Sequence, residues 1–261
     1  ALYDSKKSNS GSSSGGGSTG GGGGGGIVGA NISKNGNISE NIAGLDGANG
    51  GIKDIAGAEW AAPYIKYIYD NSIMQGDGAG NFRPNDSITR EELLKLITEN
   101  FIVIPSDIDE GVPNNIETEK SPEYLAVKKA KHIYENGHRN DVVIGCDTGV
   151  FIDGKMLGKP KNKEDAKQML TELSGRKHKV ITGCCICGNS KVNRFSQVTE
   201  VEFYELTEKE IESYIATGEP MDKAGSYGIQ GKGSLLVKGI VGDYFNVVGL
   251  PVAKLNKKLN G

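Results

Sequence analysis

Asp147 closes an apolar run, Val142-Val143-Ile144-Gly145-Cys146, and is followed by Thr148. A carboxylate at the C-terminal end of a buried strand is a common ligand-facing position in α/β folds. An Asp that merely ends a strand is the plainer reading, and the local sequence alone favours it. Glu110 closes an acidic run that begins at Asp107. Such a run is ordinarily a solvated turn, but its hard oxygen donors also suit Mg²⁺ or Mn²⁺. Lys129 and Lys159 offer point charges to an anion such as phosphate. Lys159 is the better placed of the two, because the Gly158-Lys159-Pro160 turn fixes its backbone. Lys128, Lys131 and Lys161 read as solvated. Gln230 follows Tyr227-Gly228-Ile229 and can both donate and accept hydrogen bonds, which suits the edge of a pyrimidine base. Together these types could hold a hard cation beside a phosphate-bearing anion.

Four cysteines add a second candidate cluster: Cys146, Cys184, Cys185 and Cys187. Zinc sites need paired spacings on turns and further Cys or His. The segment His178 to Thr182 alternates like a strand, so small buried core residues are expected instead. Unbridged cysteines suit a reducing compartment. With no visible signal peptide either, the expected location is the cytoplasm. The net charge of −3 gives no global pull toward nucleic acid or anionic membrane. No run of about 18 apolar residues occurs, so no membrane span is expected.

The elements that must position these residues occupy only part of the chain. Many of the 39 glycines crowd residues 1–50, where Gly, Ser and Asn dominate. Such a stretch has few side chains to bury and is expected to be a disordered segment. A glycine-rich phosphate cradle would need a strand before it and a helix after it, and neither pattern is present. Residues 51–100 read as a small helical unit. Trp60, Tyr64, Ile65, Tyr67 and Ile68 form one apolar face, and a Gly/Asn/Pro loop follows. A second helix over 88–100 is capped by Ser87 or Thr89 and carries Leu93, Leu94, Ile97 and Phe101 inward.

From 101 to 261 strands and helices intermix. Strands are expected at 102–104, 142–144, 178–187, 196–204 and near 234–241. Helices are expected at 122–136, 163–173 and 207–216, the last with a Thr207/Glu210 capping box, and after Pro251. The fold class is α/β with a mixed sheet.

Two resemblances cover these two parts. Residues 52–97 resemble one S-layer homology repeat, carried by Ile52-Lys53-Asp54-Ile55, Trp60-Ala61, Gly76 to Pro84 and Ile88-Thr89-Arg90-Glu91-Glu92. That resemblance implies a module that helps bind cell-wall polysaccharide outside the cell.

Residues 101–261 resemble the Maf nucleotide pyrophosphatases. The matching pieces run in family order. They are Ile104 to Glu110, Leu125 to Ala130, Ile144 to Thr148, Leu157 to Pro160, Leu173 to His178, Gly218 to Gly231, Gly242-Asp243-Tyr244 and Val247 to Pro251. The resemblance implies a Maf/ITPase-like fold, a homodimer, and metal-dependent hydrolysis of dTTP or UTP to monophosphate and pyrophosphate. It makes Asp147 the proton acceptor, and Glu110 a metal-binding or water-orienting carboxylate with Asp147 as the second metal ligand. Lys129 and Lys159 become the phosphate-neutralising cations. Thr148 becomes a substrate-discriminating hydroxyl and Gln230 a specificity residue, with Lys223 supporting its loop.

The family's opening strand and its Ser-x-Ser-Pro-Arg-Arg turn are not found before Phe101. On the register set by Glu92-Leu93-Leu94, Ser87 and Arg90 fall on a family Ser and the second Arg, while Thr89 replaces the first Arg. A lost charge-assisted phosphate contact costs roughly 1.5–3 kcal/mol, about one to two decades in affinity or rate. Weakened or absent turnover is therefore expected. An unpaired strand edge is expected where the opening strand would lie. The helix shared by the two patterns suggests a chain that joins two modules there, and an inactive fusion or a wall-binding protein are the competing readings.

Overall fold

A computed structural model describes residues 2–4, 65, 69, 81–83, 86–98, 101–189 and 191–260. The chain divides into two compact units, one made of residues 1–5 and 101–261 and the other of residues 6–100.

The larger unit is built on one sheet. Its strands are β1 (Leu2–Asp4), β2 (Ile102–Val103), β3 (Val142–Ile152), β4 (Lys155–Leu157), β5 (Lys177–Gly188), β6 (Lys191–Phe203) and β7 (Val237–Val241). Their order is β2-β1-β3-β5-β6-β7, with β4 also on β3, and each described pairing is antiparallel. The β3–β4 hairpin turns at Asp153-Gly154. Both have positive φ, 50° and 76°, as a two-residue hairpin turn of matching twist requires. Helix α2 (Ser121–Glu135) lies on one face of the sheet, burying Ala126, Ala130 and Ile133 against Val143, Cys185 and Cys187. Helices α3 (Lys163–Leu173) and α4 (Glu208–Ala216) cover the other face. There Val150, Ile152, Val180, Val201 and Phe203 meet Ala166, Leu170, Leu173, Ile211 and Ile215. Two short helices, α5 (Tyr244–Val248) and α6 (Val252–Leu259), close the chain.

The caps follow the sequence pattern. Asn162 accepts from Asp165 N at the start of α3, and Thr207 and Glu210 form the expected capping box on α4. Cys184, Cys185 and Cys187 are buried in β5 and Cys146 is half-buried in β3, so the cysteines are core residues, as expected.

Three expectations are corrected. The strand through 142–144 does not stop before Asp147. It continues to Ile152, because β5 keeps pairing with it through Asp147↔Gly183 and Thr148↔Thr182. Asp-Thr-Gly reads locally as a break, and the cross-strand ladder overrides it. Leu2–Asp4, inside the stretch expected to be disordered, forms β1. It pairs with Val142–Ile144, so that part of the β3 edge is not left open. A chain carrying a bare strand edge gains backbone hydrogen bonds by covering it, whatever the composition beyond the covering residues. The remainder of 5–50 lies outside the described residues.

The smaller unit also departs from expectation. Its helix α1 spans Arg90–Leu94, followed by a turn through Ile97, and does not run as a regular helix over 88–100. Thr89 is the cap: its Oγ1 accepts from Glu92 N at 3.1 Å and Glu92 Oε2 accepts from Thr89 N at 2.8 Å. Glu92 Oε1 also accepts from Arg83 Nη2 at 2.8 Å, tying the loop to the helix. Leu93 and Leu94 are fully buried, as is nearly all of Ile65, which is helical like Tyr69. The other residues expected in the first helix, Trp60, Tyr64, Tyr67 and Ile68, lie outside the described residues. No helix among the described residues is long and apolar enough to cross a membrane.

Candidate active site

Two glycines create the approach on which the site depends. A Cβ at Gly145 would lie 2.4 Å from Ala126 O and 2.8 Å from Ala130 N. A Cβ at Gly183 would lie 2.3 Å from Glu123 N and Pro122 C. Helix α2 therefore rests backbone-to-backbone on β3 and β5, at a separation that only glycine permits. Asp147 lies on this same face, two residues beyond Gly145 and directly opposite Gly183. Lys129, one residue before Ala130, is thereby held over it. Lys129 Nζ donates to Asp147 Oδ1 at 2.6 Å and forms an ion pair with Glu110 Oε1 at 2.7 Å.

The electrostatics of this triad are set by partial burial. The side chains of Lys129 and Asp147 are 14% and 17% exposed, and that of Glu110 is 59% exposed. Burial pulls the Lys129 pKa down, but hydrogen bonds and charge from Asp147 and Glu110 outweigh it and hold it above the ordinary lysine value. The ammonium is thus fixed between two carboxylates. Lys128 was expected to be solvated; instead its Nζ donates to Asp109 O. Asp109 Oδ1 in turn accepts from Gly111 N at 3.1 Å. The adjoining Lys128 thus anchors the segment that carries Glu110. Two adjacent lysines on one helix and an acidic run are visible in the sequence, and only the tertiary contact shows that they meet.

Thr148 points to the opposite face from its neighbour, as strand alternation requires. Its Oγ1 lies 2.9 Å from Thr182 Oγ1, which donates to Asn246 O at 3.0 Å. Asn246 is fully buried and donates from Nδ2 to Val180 O and Thr199 Oγ1, both at 3.0 Å. Nothing in the local sequence marks Thr182 or Asn246 as part of such a network. Their roles depend on cross-strand register and on α5, neither of which is local.

The Lys223–Gln230 segment also packs on that second face. A Cβ at Gly225 would lie 2.9 Å from Val150 Cγ1, and Tyr227 Oη lies 2.7 Å from buried His178 Nε2. Lys223 Nζ donates to Asp222 Oδ1 at 2.7 Å. That contact is the chief reason the Asp222 carboxyl stays below the usual range, and Lys159 contributes to the same effect. Gly225 N donates to Gly158 O at 3.0 Å, so the turn bearing Lys159 is tied to this loop. Lys159 is exposed and Gln230 half-buried. Lys129, Glu110 and Asp147 are thus brought into direct contact. Lys159, Lys223 and Gln230 are carried by a second assembly of loops. Ser87, which is exposed, and Arg90, which opens α1, belong to the smaller unit.

Glu110 and Asp147 are the donors available to a divalent cation. Two carboxylates reaching one ammonium can equally reach a shared cation, and Mg²⁺ characteristically takes one or two carboxylates with phosphate oxygens and water completing its shell. The donor set therefore fits a cation whose remaining ligands come from outside the chain. Among the described residues, no group of three or more His, Cys, Asp or Glu could hold a metal alone.

Residues 85–261 match the family described as Maf-like protein, and residues 51–94 match the S-layer homology domain. Residues 85–94, which include α1, fall within both matches. A protein of Bacillus mycoides (strain KBAB4), named dTTP/UTP pyrophosphatase, is 48% identical over 170 residues, covering 65% of this chain and 88% of its own length. A protein of the same name from Bacillus pumilus (strain SAFR-032) is 48% identical over 170 residues, covering 65% and 89%. One from Bacillus cereus (strain B4264) is 46% identical with coverage of 65% and 88%.

Proposed function

The chain belongs to the Maf-like protein family, and from that premise we propose that it is a nucleoside triphosphate pyrophosphatase acting on dTTP and UTP. The products are the monophosphate and pyrophosphate. The observation that carries the reading is the contact of Lys129 with both Asp147 and Glu110.

In this reading Asp147 is the proton acceptor for a water aligned with the α-phosphorus. Lys129 orients the Asp147 carboxylate through Oδ1 and brings positive charge to the phosphates. Glu110 and Asp147 would hold a Mg²⁺ or Mn²⁺ ion, which supplies Lewis-acid polarisation of phosphate oxygens when bound. Lys159 brings charge to the outer phosphates, and Lys223, held on Asp222, supports the loop that carries Gln230. Thr148 and Gln230 select the pyrimidine base. Thr89 is committed to capping α1 and cannot replace the cation lost at its position. Turnover is therefore slower than in a relative that retains two arginines. We place this activity in the cytoplasm, in a homodimer.

The test is release of UMP or dTMP by the full chain with Mg²⁺ or Mn²⁺. General-base loss typically costs about 10²–10⁴-fold, so Asp147→Asn is expected to lose at least about 10²-fold. Release at the parental rate would remove Asp147 from its role.

The S-layer homology match favours a second activity, with residues 51–100 as a wall-binding module and 101–261 as the enzyme domain. Retention of the chain on purified cell-wall polysaccharide, lost on deletion of 51–94, is the expected result. Cell fractionation then decides between surface and cytoplasm.

A further inference from the structure

Gln230 sits in the middle of a loop whose two ends touch. A Cβ at Gly233 would lie 2.2 Å from Gly228 O and 2.6 Å from Tyr214 Oη, so no side chain fits between them. Gly228 N donates to Tyr214 Oη at 3.2 Å, and Tyr214 Oη donates to Glu219 Oε1 at 3.1 Å. The Glu219 carboxylate also receives Lys232 N at Oε2 and Gly233 N at Oε1, both at 3.1 Å. Gly231, at φ 65°, bends the chain so that a Cβ there would lie 3.0 Å from Glu219 Oε2. One carboxylate therefore gathers three donors and, through Tyr214, holds both ends of the loop. An ionised carboxylate has acceptor sites for all three. Tyr214 is 4% exposed, and burial keeps its phenol protonated and able to donate.

We propose that Glu219, acting with Tyr214, is a positioning residue for base selection, presetting the 228–233 loop so that the Gln230 amide meets the edge of a pyrimidine nucleotide. The proposal rests on the reading of Gln230 given above. A loop free to open would carry Gln230 with it, and the ordering cost would then fall on binding. Glu219→Gln retains the size of the side chain but replaces one acceptor oxygen with an amide NH₂, which would confront an N–H donor.

The experiment uses the full chain, α,β-methylene-UTP, which cannot be cleaved at the reacting bond, and titration calorimetry, with melting followed in parallel. Glu219→Gln is expected to weaken binding about tenfold, while Gln230→Ala combined with Glu219→Gln binds no more weakly than Gln230→Ala alone. Tyr214→Phe, which removes only the bridging hydroxyl, should show the same dependence on Gln230 and serves if Glu219→Gln unfolds. Equal loss with and without Gln230, or no loss at all, would overturn the positioning role. Parental affinity in Gln230→Ala alone would instead remove Gln230 from base reading, and Glu219's role with it. A parent that fails to bind the analogue would remove the nucleotide reading itself.

Discussion

Lys129 shows why residue types alone underdetermine a site. It is one of several lysines in a basic helix, and only its height over Gly145 and Gly183 separates it from Lys128 and Lys131. His178 makes the same point for titration. It is 3% exposed, its Nε2 pairs with Tyr227 Oη, and burial pushes its pKa from 6.5 to about 4. The unfolded chain thus takes up a proton near pH 6.5 that the folded chain refuses until about pH 4. Stability from this group is complete above pH 6.5 and declines as pH falls through that window, by about 3 kcal/mol in full. Urea unfolding at pH 7, 5.5 and 4 should show this loss. His178→Gln, compared with the parent, should lose less over the same interval.

At the scale of elements, the site depends on α2 lying directly on the sheet. Gly183→Ala places a methyl 2.3 Å from the backbone of Pro122 and Glu123, where no flexible side chain can yield. Overpacking of this kind costs about 1–3 kcal/mol, and the helix must lift. Lifting α2 separates Lys129 from Asp147, so turnover should fall by more than the stability loss explains while the fold persists. Thermal melting and product release together check this. A variant that melts lower yet turns over at the parental rate would uncouple the helix seat from the chemistry. The Thr207 capping box was legible in sequence because it is a local pattern, and the cap of α1 was narrowed there only to Ser87 or Thr89; the helix seat was not legible. Gly145 sat in a recognised stretch, but nothing in its neighbours states what it must approach.

Over the whole molecule, the sheet gains a strand from residues far away in sequence. Leu2–Asp4 pairs with Ile102–Val103 on one side and Val142–Ile144 on the other. Deleting residues 1–5 should leave those edges unpaired, raising amide hydrogen exchange in Val142–Ile144 and lowering the melting temperature of the larger unit. Unchanged exchange there would mean that the strand is dispensable. This pairing was not readable beforehand, because a short strand followed by glycine-rich chain carries no periodicity and its partners lie about a hundred residues or more away.

By itself, the sequence determined the family, the α/β class and the positions of the main helices. These rest on ordered motifs, apolar periodicity and caps, all of which are written along the chain. It also identified Asp147, Glu110 and Lys129 as chemically apt. The tertiary structure alone decided that Asp147 lies within β3 and not at its end, because the pairing with β5 carries the strand onward. It alone set Asp147 and Thr148 on opposite faces and closed the Gln230 loop on Glu219. Such outcomes depend on cross-strand register and close backbone approach, which are properties of pairs of segments that one stretch of sequence does not contain.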